Sequence, residues 1–295
     1  MITGIRRSAL YVPCDNVAMI RKSAEVPADV LLLNLEDGVA DFRKDAARMN
    51  TVTALKSLDF GQREVVVRVN SPESDAGRKD LAAIIPCRPD GICLPKVEIP
   101  EAVAGADAAM RTLELASGIP EGSIRLHAMI ESAAGVLGAR EVAAAAPRMT
   151  SLIFGSADYC EDVRCTPAED RIEMLLALQM IVAAARAAGI DAIDAPCFDI
   201  RNQDLLRRET AQARRFGFDG KSALHPGQLP WINELMDVTR EEIEWAGRVL
   251  AELRGAGERG RALSTLDGQL IDNPHRSAAE RILRRARASR PQEGL

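Results

Sequence analysis

Eight short runs of β-forming residues recur about every 30 residues along the chain, with longer helix-like stretches between them. Their apolar residues are continuous rather than alternating, which is typical of parallel strands buried on both faces. Eight strand–helix units predict an α/β protein, a (β/α)8 TIM barrel rather than an open doubly wound sheet. The runs are SALYV (8–12), DVLLLNL (29–35), EVVVRV (64–69), GICLPK (91–96), RLHAMI (125–130), SLIFG (151–155), DAIDA (191–195) and KSALH (221–225).

The segments between the runs favour helices, among them 101–117, 134–147 and 168–189, which are rich in Ala, Leu, Glu and Arg. No G-x-G-x-x-G motif follows a run, which weakens the dinucleotide-binding alternative. After the last barrel helix, GAGERGRAL indicates a hinge-like link. We therefore predict a barrel catalytic domain over 1–253 and a hinge with a C-terminal segment and helix over 254–295.

Composition excludes several classes of function. The chain carries 38 Lys and Arg against 43 Asp and Glu, a net charge of −5, which argues against nucleic-acid binding. The N-terminal stretch lacks the apolar core of a signal peptide, and no apolar run reaches about 18 residues, so we expect no membrane span. The six dispersed cysteines form no C-x-x-C pair. They are typical of reduced thiols in a cytoplasmic protein rather than of a zinc site.

Polar side chains follow nearly every predicted strand at its carboxyl end, where barrel active sites lie. One alone is weak evidence, because surface loops are also polar, but the set indicates a functional rim. The residues are Glu36 and Asp37, Arg68 and Asn70, Lys96, Glu131, Asp158 and His225.

The acids Glu131 and Asp158 follow adjacent strands and should meet at the barrel mouth. Two carboxylates in a partly dry site repel each other unless a cation or a shared proton relieves them. Oxygen ligands with open water positions suit Mg²⁺ better than zinc. The alternative is that both acids cap helices or pair with Lys or Arg.

Arg68 ends the apolar run VVVRV, which is a deep position for an arginine. A planar guanidinium suits a two-point grip on a carboxylate or an oxyanion. The alternative is a buried ion pair with Glu36 or Asp37. His225 has no nucleophile motif nearby, so a positioning role is favoured over general-base work.

The motifs together resemble the citrate lyase β-subunit-like family of the HpcH/HpaI aldolase superfamily, which includes the malyl-CoA and citramalyl-CoA lyases. The resemblance covers about 270 residues, and the order of the motifs is specific. The matching stretches are RRSALYVP, LEDGVA with RKDAAR, VRVNS, LPKVE, MIES, FGSADY, GFDGKSALHPGQ and LDGQLIDNP.

The resemblance implies a Mg²⁺-dependent carbon–carbon lyase, with Mn²⁺ able to take the place of Mg²⁺ and CoA carried on the substrate. It implies reversible cleavage of a 3-hydroxy-3-carboxyacyl-CoA into an acyl-CoA and a 2-oxo acid, glyoxylate or pyruvate. A homotrimer or homohexamer is also implied, in which a C-terminal lid works on a neighbouring subunit.

The residue roles that the resemblance implies fall on matching positions. Glu131 and Asp158 correspond to metal ligands, and Glu131 also to a substrate contact. Arg68 corresponds to the arginine that holds the substrate and stabilises an enolate, and Asp272 to the catalytic acid of the lid. Contacts to CoA or substrate are implied for Tyr11, Lys22, Leu224 and His225.

Two further acids need a role of their own. Glu36 and Asp37 emerge at the end of the second strand. We predict that they orient Arg68 or a metal-bound water and leave direct ligation to Glu131 and Asp158.

The chain departs from the family pattern at four positions. Cys14 stands where a glycine is common near the expected CoA path, and Ala18 where a CoA-contacting lysine can stand. Asn34 and Ala157 replace acids that are frequent there. The alternatives left open are a malyl-CoA thioesterase on the same scaffold and a citrate lyase β-type subunit that acts on a carrier-bound citryl thioester.

Overall fold

Eight parallel strands close into a barrel in the computed structural model, which describes residues 4–289. Each strand pairs with the next along the chain, and β8 pairs with β1. The predicted (β/α)8 barrel is therefore confirmed, and each of the eight predicted runs forms a strand. The strands are β1 (Ser8–Pro13), β2 (Val30–Asn34), β3 (Glu64–Arg68), β4 (Gly91–Leu94), β5 (Arg125–Ile130), β6 (Met149–Phe154), β7 (Asp191–Asp194) and β8 (Gly220–Ala223).

The continuous apolar runs are explained by burial on both faces of each strand. One set of side chains fills the barrel interior, and the alternate set packs beneath the surrounding helices. In β2, for example, Leu32 points inward, whereas Leu31 and Leu33 join the outer core. The interior set is Ala9, Val30, Leu32, Val66, Cys93, Met129, Ile153 and Ile193.

Ten helices lie between and after the barrel strands. Four of them begin next to a residue whose side chain caps the helix; Asn16, for example, accepts hydrogen bonds from the backbone N–H groups of Ala18 and Met19. The helices are α1 (Val17–Ser23), α2 (Lys44–Ser57), α3 (Asp75–Ile84), α4 (Pro100–Ala116), α5 (Ala133–Leu137), α6 (Ala139–Ala143), α7 (Ser156–Asp162), α8 (Leu175–Ala188), α9 (Gln203–Phe216) and α10 (Leu229–Met236).

Two predicted helices differ from the observed ones. The stretch 134–147 forms two short helices, α5 and α6, divided at Gly138. A Cβ on Gly138 would lie 2.6 Å from the backbone oxygen of Glu98, so the close approach of the chain there requires glycine. In 168–189, a short 3₁₀ turn over Ile172–Met174 precedes α8 and delays the regular helix to Leu175.

The chain divides into two compact units, Arg6–Met236 and a unit that contains Asp237 onward. The second unit contains α11 (Arg240–Glu258), the hairpin strands β9 (Ser264–Leu266) and β10 (Gln269–Ile271), and α12 (Asn273–Ser289). Its apolar core joins α11, β10 and α12 through residues such as Leu253, Ile271 and Ala279. None of the helices in the described part of the chain is long and apolar enough to cross a membrane.

The C-terminal connection is shorter than the predicted link. We expected GAGERGRAL to leave the helix at residue 255, but α11 continues to Glu258. A capping box at Thr239 and burial of Ala256 stabilise this helix, which offsets the cost of about 1 kcal/mol for each internal glycine. The tight turn lies instead between β9 and β10, where Asp267 and Gly268 both have positive φ.

Candidate active site

The carboxyl ends of β2 to β6 bring six of the predicted rim residues together. Arg68 is the last residue of β3, and Glu131 directly follows β5. Glu36 and Asp37 follow β2, Lys96 follows β4, and Asp158 lies in the first turn of α7. Because parallel strands all end at the same rim, residues up to 122 positions apart in sequence can share one site.

Arg68 lies at the centre of this cluster and is buried. Its Nη2 is 2.8 Å from Glu36 Oε2 and 3.6 Å from Glu131 Oε1. Its guanidinium carbon lies 6.0 Å from the centroid of the Tyr11 ring. Among the described residues, Arg68 Nε has no hydrogen-bond partner, although it is buried. A buried donor without an acceptor is costly, so this N–H is suited to an oxygen atom of a ligand.

Glu131 is the most deeply buried acid of the cluster. Its Oε1 accepts a hydrogen bond of 2.8 Å from the backbone N–H of Lys96. Burial raises the pKa of Glu131 to about 7, and the negative charges of Asp158 and Glu36 add to this, against the opposing effect of Arg68. A bound cation would favour the ionised form of this carboxyl group.

Lys96 links acids that follow two different strands, β2 and β6. Its Nζ lies 3.1 Å from Asp37 Oδ2, 3.4 Å from Asp158 Oδ1 and 3.7 Å from Glu36 Oε1. Although burial acts to raise the pKa of Asp37, the hydrogen bond from Lys96 holds it below its usual value. Burial raises the pKa of Glu36 despite the adjacent Arg68.

The donor set fits a hard divalent cation. Within residues 4–289, no three His, Cys, Asp or Glu side chains converge as a ready-made metal cage. Two carboxylates, Glu131 and Asp158, with the remaining positions left to water or substrate oxygens, are the usual protein share of a Mg²⁺ site. The unpaired Nε of Arg68 beside them suits an oxygen atom of the same substrate.

Gly155, at the junction of β6 and α7, leaves space for the side chain of Glu131. A Cβ at this position would overlap Glu131 Oε2 and lie only 2.6 Å from Glu131 Cβ. We expect Gly155→Ala to displace the carboxylate and lower kcat/KM by at least about 100-fold, because a shift of roughly 1 Å in a reacting group can have that effect. Steady-state kinetics measure kcat/KM, and a melting curve verifies that the variant is folded.

The control for this substitution is Gly105→Ala in α4, where an added Cβ meets no atom within 4 Å. Alanine is the better helix former, so this variant should be fully active and slightly more stable. Normal turnover in Gly155→Ala would mean that the position of Glu131 does not matter for the chemistry.

Of the other predicted substrate contacts, two have local roles in the structure and one is exposed. Lys22 lies exposed in the last turn of α1. His225 caps a short 3₁₀ turn, and its Nδ1 accepts a 3.0 Å hydrogen bond from Gly227 N. The backbone N–H of Leu224 donates to Gln228 Oε1 over 2.8 Å. Their predicted contacts with CoA or substrate stay predictions.

The departures at Cys14 and Ala18 have different structural consequences. Cys14 is buried, and its Sγ lies 3.6 Å from the backbone oxygen of Val12. Its thiol therefore packs in the core and does not project into solvent. Ala18 is exposed on the first turn of α1, so a lysine there would have been free to reach a ligand.

Asp272 lies in the second unit, just before α12. Its Oδ1 is 2.7 Å from Nδ1 of His275, which is one helical turn further on. Both side chains are partly exposed, at 45% for Asp272 and 41% for His275. Asp272 is thus an accessible acid with an imidazole partner.

Sequence reasoning missed three of these features. Lys96 was recognised as a strand-end residue that could pair with an acid, but not as a link between several acids. The partnership of Asp272 and His275 could have been found from their i, i+3 spacing, which places two side chains on one helix face. Nothing in the sequence around Gly155 indicates how closely Glu131 approaches it.

A (β/α)8 barrel with paired carboxylates and a buried arginine at the carboxyl ends of its strands defines a class of protein. This class is the TIM-barrel enzymes whose active-site acids suit a divalent metal ion. The particular family follows from comparison with known proteins. The family described as HpcH/HpaI aldolase/citrate lyase matches residues 7–226, and the chain belongs to it.

Several relatives match over nearly the whole chain. The citrate lyase subunit beta of Escherichia coli (strain K12) is 36% identical over 287 residues, which is 97% of this chain and 95% of that protein. The (3S)-malyl-CoA thioesterase of Cereibacter sphaeroides (strain KD131) is 34% identical over 282 residues, or 96% and 95% of the two chains.

A solved structure matches to a similar extent. The protein CitE from Mycobacterium tuberculosis, in complex with magnesium, acetoacetate and coenzyme A, has a TM-score of 0.78 and 30% identity. The match covers 97% of this chain and 99% of that one. The resemblance inferred from the motifs is therefore confirmed.

Proposed function

We propose that this protein is a Mg²⁺-dependent lyase that reversibly cleaves a 3-hydroxy-3-carboxyacyl-CoA, malyl-CoA, citramalyl-CoA or a close homologue, into an acyl-CoA and a 2-oxo acid. The observation that carries this proposal is the buried, unpartnered Nε of Arg68, which lies beside the carboxylates of the rim. A site of this kind offers a hydrogen-bond donor to an oxyanion, next to carboxylates that suit a metal ion.

Glu131 and Asp158 are the proposed ligands of the metal ion. Mg²⁺ bound there would polarise the hydroxyl and carboxyl oxygens of the acid portion of the substrate and gather the negative charge that develops on them. Manganese suits the same oxygen donors. The magnesium in the related M. tuberculosis structure supports this part of the proposal.

Arg68 is proposed to stabilise the enolate. In the cleavage direction the substrate hydroxyl would release its proton to water, a carbonyl group would form, and the electrons of the broken C–C bond would move into the thioester. The resulting enolate oxygen needs a donor that is already in place. Arg68 is held by Glu36 at 2.8 Å, so it need not reorganise during the step. We propose that Glu36, together with Asp37 through Lys96, orients this part of the site.

The enolate carbon must then gain a proton. We propose that Asp272 supplies it and removes it in the condensation direction, acting from the C-terminal segment 254–295 as a lid over the barrel domain of a second copy in a homotrimer or homohexamer. Its partial exposure and its contact with His275 support a role in proton transfer. Tyr11, Lys22, Leu224 and His225 are the proposed contacts to the acyl-CoA.

Two related activities are the alternatives. A thioesterase on the same barrel would release free CoA and an intact hydroxy acid, as the name of the C. sphaeroides relative suggests. A citrate lyase β-type subunit would act only on a citryl thioester bound to a carrier protein, as the name of the E. coli relative allows.

One experiment separates these activities. The purified protein is incubated with Mg²⁺ and malyl-, citramalyl- or citryl-CoA, and the products are resolved by mass. We expect an acyl-CoA and a 2-oxo acid from at least one substrate, and loss of the reaction in EDTA with recovery on added Mg²⁺, because the carboxylates alone cannot offset the developing charge.

The other outcomes contradict the proposal in distinct ways. Free CoA with intact malate indicates a thioesterase. Inactivity toward all three CoA thioesters, with cleavage of a carrier-bound citryl group, indicates a citrate lyase subunit. Cleavage that persists in EDTA would exclude a metal-dependent reaction.

A further inference from the structure

Lys96 combines an unusual backbone with an unusual side-chain position. Its φ is +50°, in the left-handed region that side-chain-bearing residues rarely adopt. Such a conformation costs about 1–3 kcal/mol and persists only where the surroundings demand it. Here it directs the backbone N–H of Lys96 to Glu131 Oε1 over 2.8 Å while the side chain turns toward the other acids.

The ammonium group lies among three carboxylates, two from the loop after β2 and one from the first turn of α7. Asp37, Asp158 and Glu36 lie 3.1, 3.4 and 3.7 Å from Nζ. The Lys96 side chain is nevertheless 52% exposed. A long, half-exposed lysine can leave the cluster without breaking the core, unlike the buried Arg68.

The formal charges of the cluster sum to a value that one divalent cation can neutralise. Its four carboxylates, two of which are the proposed metal ligands, carry a total charge of −4 when ionised. Arg68 and Lys96 together contribute a charge of +2. The remaining charge of −2 is that which one divalent cation neutralises. Without Lys96 the same cluster would carry −3.

We propose that Lys96 is a positioning residue with two roles: its left-handed backbone fixes Glu131, and its ammonium group is a built-in counter-cation that limits how tightly the rim holds a divalent metal ion. The second role is specific to charge. It predicts that removal of the ammonium strengthens metal binding, whereas loss of a merely structural contact would weaken it. The inference rests on the proposed metal site at Glu131 and Asp158.

The test is direct metal binding by Lys96→Asn, because asparagine tolerates the left-handed conformation and carries no charge. Free Mn²⁺ is measured by electron paramagnetic resonance. We expect Mn²⁺ to bind at least about tenfold more tightly than to the wild type, since one opposing charge within a few ångströms is removed. Lys96→Arg keeps the charge and should remain close to the wild type.

A trivalent probe sharpens the result. Coulomb energy scales with the charge of the ion, so the gain in log affinity for Tb³⁺ should be about 1.5 times the gain for Mn²⁺. The matched control is Lys79→Asn on α3, which removes the same charge from an exposed pair with Asp75. This variant should change neither affinity by more than about twofold.

The outcomes distinguish this inference from the function it rests on. Unchanged or weaker Mn²⁺ binding in Lys96→Asn, with a Glu131→Gln variant that binds less than the wild type, overturns the role of Lys96 alone. If Glu131→Gln leaves Mn²⁺ binding unchanged, the metal site itself is wrong, and the inference falls with it. The melting temperature in EDTA gives a second measurement: the metal-free Lys96→Asn protein should melt below the wild type and gain more from added Mn²⁺.

Discussion

Replacing Arg68 by methionine is expected to lower kcat for C–C cleavage by about 10²–10³-fold, the usual effect of removing one donor to an oxyanion. Methionine fills much of the same volume but offers no N–H to the enolate oxygen. Because this interaction forms fully only in the transition state, kcat should fall more than the affinity for the 2-oxo acid. Steady-state kinetics and calorimetric titration with pyruvate or glyoxylate measure the two quantities.

Arg68→Lys is the informative control. Lysine keeps the positive charge between Glu36 and Glu131, which lie 2.8 and 3.6 Å from Arg68 Nη2, but it has no Nε–H. If the unpaired donor matters, Arg68→Lys should resemble Arg68→Met in kcat while melting nearer to the wild type. Wild-type kcat in both variants would exclude Arg68 from the chemistry.

Arg68→Met also tests whether the lid of one copy acts on the active site of another copy. Arg68→Met lacks the proposed enolate donor, and Asp272→Ala lacks the proposed lid acid. If the lid of one copy serves the site of another, co-expression of the two inactive chains should restore part of the activity. Failure of the mixture, when the chains form oligomers together, would confine each lid to its own subunit.

The barrel could be predicted from sequence because its signal is local. The run around Leu31, Leu32 and Leu33 is apolar at successive positions, and only a strand covered on both faces needs that pattern. Repeated eight times with helices between, the pattern leaves few topologies. Boundaries were less predictable, since the end of α11 depends on the packing of Ala256 rather than on the two glycines beside it.

The rim was predictable for the same reason, because a strand end is visible in the sequence and all the strand ends share one edge. The strand ends therefore predict one cluster for Arg68 and Glu131, and Arg68 Nη2 lies 3.6 Å from Glu131 Oε1. The strand ends do not indicate the left-handed backbone of Lys96 or the space left by Gly155, because both depend on neighbours from other strands. Such features are fixed by tertiary contacts rather than by local pattern.

A buried ion network between the barrel and α9 was also hidden from the sequence. Asp194 of β7 is fully buried, and its Oδ2 accepts from Lys221 Nζ at 2.8 Å and from Arg171 Nη1 at 2.9 Å. Its neighbour Ile193 points into the barrel, so Asp194 faces the helical layer. Lys221 is also fully buried and has a second partner in Glu209 at 2.9 Å.

Replacing Asp194 by alanine is expected to destabilise the protein by about 3–5 kcal/mol, because Arg171 and Lys221 would stay buried with too little negative charge. For a unit of this size, that corresponds to a fall in the melting temperature of roughly 6–20 °C. Chemical denaturation gives the free energy of unfolding. The control is Asp75→Ala, which removes an exposed partner of Lys79 and should leave the stability nearly unchanged.

The pH dependence of this difference identifies its origin. Although burial opposes ionisation, Arg171 and Lys221 hold the pKa of Asp194 below its usual value. In the unfolded chain the pKa of an aspartate is about 4. The stabilisation by Asp194 should therefore be complete above that pH and decline as the pH falls below it, so wild type and Asp194→Ala should converge in acid. A difference that stays constant down to pH 3 would assign the loss to packing rather than to the charge of Asp194.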